Sequence, residues 1–329
     1  MSKNKLKRIL IKLGTACNLH CKYCHSGNMN YMFNPEILPV LKEMKLQRIA
    51  FSGGEPLLYW DTICKIVEYI GDETEYKIVT NGTLFTKEIV DFCNQHRFKF
   101  FISLDGEDST RDLSKPIQWD LIKQLRQCGT AVTFYRENQD IRKTLNSLNL
   151  VKEKYLTISD WMWSSYPNFV HSTEKTGALS DRALADSYIS QMTELAEEAI
   201  KLHKEGKTVG FLGRLFIDYV KLSRANGVRC CSDMYISILA DGTICSCPYT
   251  LDKVGDIFHL DKIDWDEIKE KYCRESCKTC ELFDVCKNYC LANITDDECY
   301  IMKEMHKNML LLMEKYNISY EEFDEIFPY

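Results

Sequence analysis

The sequence predicts an α/β protein built on a parallel sheet. Over the first half, short runs of β-branched and aromatic residues alternate with amphipathic stretches of helical length, the β-α-β-α order of a parallel sheet covered by helices. Each of the first four runs ends in a segment of unusual chemistry: "TACNLHCKYCH" after the first, "GGEP" after the second, "NGT" after the third and "SLDG" closing the fourth. In such folds the chemistry collects at the C-terminal ends of the strands, so these four loops are expected on one rim.

The elements follow in order. Strands are expected at 8–14, 48–53, 76–80, 98–104, 131–135 and 155–159, where runs such as "RILIKLG" and "FKFFISL" suit a pleated surface. Helices are expected between them, at about 35–45, 60–71, 86–96, 117–128 and 140–152. From about residue 180 the pattern changes. A long amphipathic helix opens at Ser180 and Asp181 as a cap and stops at Gly206. A second helix spans about 209–225, and "MYISILADGTICSC" reads as a hairpin turning at Asp241 and Gly242. The last thirty residues read as helical.

Composition narrows the class. Hydrophobic residues make up 45% and charged residues 27% of the 329, as in an ordinary globular chain long enough for a large domain and a small one. A net charge of −6 argues against a nucleic-acid binder. The basic start "MSKNKLKRILIKLG" lacks the apolar run of a signal peptide. The late run "NMLLLM" falls far short of the ~20 residues that cross a bilayer. A cytoplasmic location is expected, and in that reducing setting the sixteen cysteines point to metal or redox chemistry rather than disulfides.

Three of those cysteines, Cys17, Cys21 and Cys24, share the first loop at spacing C-x3-C-x2-C. A structural zinc site closes with four ligands and disulfides consume thiols in pairs. Three thiolates can each bind one iron of a [4Fe–4S] cube and leave the fourth iron open to a small molecule. The plainer alternatives are a zinc site completed by His20 or His25, or chance clustering.

With Tyr23 before Cys24, the triplet completes C-x3-C-x-aromatic-C, and Gly53-Gly54-Glu55-Pro56 follows one β-α unit later. In this the sequence resembles the radical S-adenosylmethionine (SAM) superfamily. The resemblance implies a partial (β/α)6 TIM-like barrel over residues 5–180, with SAM bound to the open iron through its amino and carboxylate groups. It further implies reductive cleavage of SAM to methionine and a 5'-deoxyadenosyl radical, which takes hydrogen from an unactivated carbon. The GGEP backbone would meet the SAM amino group, and Ser103 and Asp105 would lie near its ribose and carboxylate. Tyr23, and Asn81 of "NGT", are expected at the cofactor with them. Where many relatives carry an arginine for the SAM carboxylate, this chain has Lys115, with Arg111 four residues earlier. Lysine lacks the bidentate fork of arginine.

Towards the C-terminus, Cys231, Gly242, Cys247, Cys277, Cys280, Cys286, Cys290 and Cys299 fall in an order similar to the SPASM domain, which usually carries two auxiliary [4Fe–4S] clusters. The zinc-knuckle alternative rests on "CKTC" alone. By resemblance, Cys277, Cys280, Cys286 and Cys299 hold the distal cluster and Cys231, Cys247 and Cys290 the nearer one. Cys230 or Cys245 would be the eighth ligand, or neither, leaving an open iron; Cys273 is spare. The resemblance thus divides the chain into a barrel (5–180), a helical bridge (181–228) and a cysteine-rich domain (229–329). Cys64, Cys93 and Cys128, at apolar positions of expected helices, read as core residues.

Relatives of this kind mostly modify peptides or proteins. A thioether or carbon–carbon cross-link in a ribosomal peptide is the expected product, the auxiliary clusters accepting the second electron. Inversion of an amino-acid centre would instead need a hydrogen donor, for which Cys230 or Cys245 would serve. Formylglycine formation in a sulfatase is disfavoured because Pro248 stands where an acidic base follows Cys247. A non-catalytic electron carrier would have no need of GGEP. The expected partners are a peptide substrate and a reductant such as flavodoxin or ferredoxin. With sixteen residues before Cys17, a leader-binding domain is not expected and a separate leader-binding protein could replace it. The aromatic stretch at 158–171, "ISDWMWSSYPNFVH", is expected to be a loop, either lining a substrate pocket or packing over a core edge.

Overall fold

In a computed structural model, the described residues are 6–21, 24, 30–105, 112, 114–133, 140–147, 163–166, 182–207, 235–245, 252–272, 275–282 and 296–327. Tyr23, Arg111, Cys230, Cys231, Cys247, Cys286 and Cys290 lie outside them, as do the expected helix at 209–225 and strand at 155–159.

The parallel sheet is present. Strands β1 (Arg8–Lys12), β2 (Arg48–Ser52), β3 (Glu75–Thr80), β4 (Phe98–Ser103), β5 (Cys128–Thr133) and β6 (Trp163–Tyr166) pair in sequence order, every pair parallel. Helices α1 (Ile37–Glu43), α2 (Trp60–Ile70), α3 (Lys87–Gln95) and α4 (Trp119–Ile122) connect them. Alternation decides which face the helices cover. Ile9, Ile11, Ile49, Phe51, Tyr76, Ile78, Phe98 and Phe100 are buried in one cluster with Ile37 and Leu41 of α1, Ile63, Ile66 and Val67 of α2, and Ile89, Val90 and Cys93 of α3. Their neighbours face the other way, and this inner face carries several charged side chains among apolar ones. On it Glu75 pairs with Arg48 and, at 2.8 Å, with Lys99. The Lys77 ammonium lies 4.2 Å from the centre of the Phe101 ring.

Two expectations are corrected. Cys128 is not the end of a helix over 117–128: α4 closes at Ile122, and Cys128 opens β5, 2% exposed and paired with Phe100. The hydrogen-bonding edge of β4 draws 128–130 into the sheet, overriding the helical periodicity. The stretch at 158–171 is not all loop, since Trp163–Tyr166 form β6 on the far edge.

The hairpin of β7 (Tyr235–Leu239) and β8 (Thr243–Cys245) turns where expected, with Gly242 at φ +93° and the Asp241 carboxylate accepting from Thr243 N. The sequence did not reveal where this hairpin goes. β7 pairs parallel with β1, and with β9 (Lys253–Asp256) beyond β8 it extends the barrel sheet to nine strands, β6-β5-β4-β3-β2-β1-β7-β8-β9.

A second core is helical. Residues 141–147 form α5, and α6 spans Arg182–Lys204. The chain continues through α7 (Trp265–Tyr272), α8 (Glu275–Lys278), α9 (Asp296–Tyr316) and α10 (Tyr320–Ile326). Leu184, Tyr188, Met192 and Leu195 of α6 are buried with Ile301, Met305 and Leu312 of α9 and Phe323 of α10. Gly206 ends α6 as expected, at φ +67°, with Lys207 N reaching back to Leu202 O. Among the described residues no helix is long and apolar enough to cross a membrane.

Candidate functional site

The three-cysteine loop leaves the C-terminal end of β1 and is pinned at both ends. Gly14 and Asn30 form an isolated antiparallel bridge. The Tyr59 hydroxyl donates to Asn30 Oδ1 at 2.7 Å and accepts from Ala16 N at 3.3 Å. Gly14 is required by this contact, since a Cβ there would stand 2.0 Å from the Tyr59 oxygen.

The GGEP loop, at the end of β2, meets the cysteine loop backbone to backbone. Glu55 N donates to Ala16 O at 2.9 Å. A Cβ on Gly54 would fall 2.2 Å from Thr15 O and 2.4 Å from Ala16 O, so no other residue fits without moving the loop that carries Cys17. Pro56 begins a 3-10 turn, Pro56–Tyr59, which Glu55 caps. The Glu55 side chain is 1% exposed, and its carboxylate accepts from Leu57 N (3.0 Å), Thr80 Oγ1 (2.7 Å) and Asn81 N (2.8 Å). This carboxylate ties the second loop to the end of β3.

The third loop reaches the first through side chains. Asn81 Nδ2 donates to Asn18 Oδ1 at 2.8 Å and points at Cys17 Sγ from 3.8 Å. Leu19 N also approaches Cys17 Sγ, at 3.5 Å. Burial pushes the Cys17 thiol above its usual range, and the nearby Glu55 and Cys24 add to this against the donors Leu19 and Asn81. Cys21 Sγ receives Asp112 N at 3.4 Å, and the Asp112 carboxylate accepts from His20 N at 2.8 Å. Cys24 N returns to Cys21 O at 3.0 Å, and Cys24 is exposed.

Of the remaining expected rim residues, Ser103 ends β4 half-buried and Asp105 is 2% exposed just beyond it. Lys115 is exposed. Tyr59, Asn18, Thr80, Thr83 and Asp112 belong to the site yet were not singled out from sequence. Asn18 and Thr83 at least lie inside quoted motifs, whereas Asp112, 91 residues from Cys21, carries no local signal.

Towards the C-terminus, Cys277 on α8 and Cys280 just after it repeat the first loop's turn, with Cys280 N donating to Cys277 O at 3.1 Å. Cys299 lies on α9, half-buried. Cys245 is 2% exposed at the end of β8, in register with Ser237 of β7. Burial pushes its thiol up to about 11, with the Lys12 charge opposing.

The donor set of the first loop fits an iron–sulfur cluster. It offers three thiols on one constrained loop, with N–H groups aimed at two of the sulfurs, the contacts that stabilise charge on cluster ligands. Among the described residues no three Cys, His, Asp or Glu side chains are grouped to hold a single metal ion.

Residues 11–157 match the family model described as the Radical SAM superfamily. A Paramaledivibacter caminithermalis protein named radical SAM cyclopropyl synthase TigE is 23% identical over 345 residues, covering 88% of this chain and 69% of that protein. A GTP 3',8-cyclase of Helicobacter pylori is 26% identical over 75% of this chain and 81% of its own. An uncharacterised Methanocaldococcus jannaschii protein is 33% identical over 122 residues, 34% of this chain; the chain spans 42% of that relative's length. The fold is shared with anSMEcpe, solved with bound AdoMet and the Cp18Cys peptide, at a TM-score of 0.69 and 18% identity, over 95% of this chain and 99% of that one.

Proposed function

We propose that this chain is a radical SAM enzyme with a SPASM domain that takes hydrogen from a ribosomal peptide, most simply to form a thioether or carbon–carbon cross-link. The observation that carries the reading is the convergence on Cys17 of three loops, fastened by Glu55 N to Ala16 O and by Asn81 to Asn18 and Cys17. The peptide substrate is supported by the bound peptide in the shared-fold structure. A small nucleotide-like substrate is the second reading, favoured by the GTP 3',8-cyclase relative.

In this proposal Cys17, Cys21 and Cys24 hold a [4Fe–4S] cluster. Together with SAM, the bound cluster supplies a low-potential electron and a carbon-centred radical. The chain's own residues set the frame for that chemistry. Gly53 and Gly54 keep the rim beside the cysteine loop free of side chains, and the engaged carboxylate of Glu55 holds the loop's shape from behind. Below the rim, the inner face offers Val79, 41% exposed, as apolar surface for a ligand. Residues 229–329 would carry two auxiliary clusters, one on Cys277, Cys280, Cys286 and Cys299, the other on Cys231, Cys247 and Cys290. Cys230 or buried Cys245 is then the eighth ligand, or neither is and an iron stays open; either thiol would serve as the hydrogen donor if the reaction is an inversion.

The test is anaerobic. Reduced protein given SAM is expected to release 5'-deoxyadenosine, and the Cys17→Ala/Cys21→Ala/Cys24→Ala variant to release none while retaining iron. Undiminished release from that variant overturns the assignment. For the substrate, a peptide encoded beside the gene is co-expressed and weighed. Loss of two hydrogens supports cross-linking, and one deuterium gained from heavy water at otherwise constant mass points to inversion.

A further inference from the structure

Three side chains around Cys17 form a closed ring whose hydrogen bonds all run in the same sense. Asn81 Nδ2 donates to Asn18 Oδ1 (2.8 Å), Asn18 Nδ2 donates to Thr83 Oγ1 (2.9 Å), and Thr83 Oγ1 donates to Asn81 Oδ1 (2.7 Å). Both amide orientations follow from chemistry. Thr83 N can only donate, and it lies 3.0 Å from Asn81 Oδ1, so that atom must be the oxygen and the other the nitrogen. Links in such a ring polarise one another and resist rotation of any member. Asn81 is 5% exposed and its backbone N is held by Glu55 at 2.8 Å, which fixes the residue from its other side. One N–H of Nδ2 is used inside the ring. The second is the group directed at Cys17 Sγ, at 3.8 Å.

We infer that the Asn18–Asn81–Thr83 ring is a positioning device that aims this N–H at the Cys17 sulfur and thereby raises the reduction potential of the cluster held there. The inference rests on the reading of the cysteine loop as a cluster site. Reduction adds negative charge that spreads onto the sulfur ligands, and a donor aimed at a sulfur stabilises the reduced state more than the oxidised one. A ring that served only to shape the loop would alter cluster loading and leave the potential of the loaded cluster alone.

The experiment is a reductive titration of the full chain, reconstituted with iron and sulfide and followed by electron paramagnetic resonance. Signals also present in the Cys17→Ala/Cys21→Ala/Cys24→Ala variant are subtracted. Asn81→Asp keeps the shape but replaces the donor by an acceptor, and its midpoint is expected to move to more negative potential. Thr83→Val opens the ring without touching Cys17 or adding charge, and a smaller move in the same direction is expected. Thr83→Ser restores the hydroxyl and should titrate as the parent does. A loaded Asn81→Asp cluster with the parental midpoint overturns the inference. Should Asn81→Asp fail to load, equal midpoints for Thr83→Val and Thr83→Ser overturn it. If the triple-alanine variant shows every parental signal, the reading of the loop itself fails, and the inference with it.

Discussion

Replacing Glu55 tests whether its carboxylate is a structural tie between two rim loops. Three donors converge on it, and the groups are nearly inaccessible: Glu55 and Thr80 are each 1% exposed, Leu57 and Asn81 each 5%. Glu55→Ala leaves Leu57 N, Thr80 Oγ1 and Asn81 N without their acceptor. A buried donor stripped of its partner costs about 1–3 kcal/mol. Water entering the space left by the side chain would recover part of that, so a loss of about 3–5 kcal/mol is expected. Glu55→Gln is more discriminating. Oε1 serves two donors and Oε2 one, Asn81 N. The amide group therefore fits best with its NH2 against Asn81 N, one donor facing another, at a cost of about 1–3 kcal/mol. The assay is urea unfolding of the metal-free protein under anaerobic conditions, comparing midpoints at constant slope. A Glu55→Gln protein within about 0.5 kcal/mol of the parent, less than one unpaired buried donor costs, would refute the reasoning.

Acid should weaken the inner face of the sheet. Burial alone would raise the Glu75 pKa, but the hydrogen bond from Lys99 and the charges of Arg48 and Lys99 outweigh it and hold the carboxyl below its ordinary 4.5. A depressed carboxyl contributes stability that is present above its unfolded value and lost as pH falls through the folded one. The parent should therefore lose its advantage over Glu75→Gln as pH drops below about 4.5, read as converging unfolding midpoints; a constant difference would contradict this. Thiol mapping offers an independent check of the cysteine assignments. In the folded apo protein at pH 8, iodoacetamide should label Cys24 first among the described cysteines, where it is the exposed one, and spare Cys93 and Cys128, buried thiols whose pKa burial drives up, that of Cys128 to about 12. Reconstitution with iron and sulfide should then protect Cys17, Cys21 and Cys24. Continued labelling of all three by mass spectrometry would count against their role as ligands.

The parts of the protein legible in its sequence are those fixed by neighbours along the chain. Alternating apolar residues gave the first four strands to within two residues, because the period of a strand and the burial of one face are local facts. Turn chemistry placed the hairpin at Asp241-Gly242 and the end of α6 at Gly206, both glycines at positive φ. The spacing of Cys17, Cys21 and Cys24 beside GGEP carried the resemblance to the radical SAM superfamily, whose family model matches residues 11–157.

Tertiary structure decided the pairings. That β7 completes the sheet beside β1 depends on which exposed edge a late hairpin finds, and nothing in "MYISILADGTICSC" names its partner. Cys128 looked helical by periodicity and became a strand because β4 offered it hydrogen bonds. Asp112 reaches Cys21 and His20 from another loop altogether. Glu55 shows the difference most clearly. Its motif marks it as important from sequence, but only the packing of β3 against the second loop brings Thr80 and Asn81 onto its carboxylate. A residue type limits which bonds a side chain can make, and the fold determines which groups come close enough to make them.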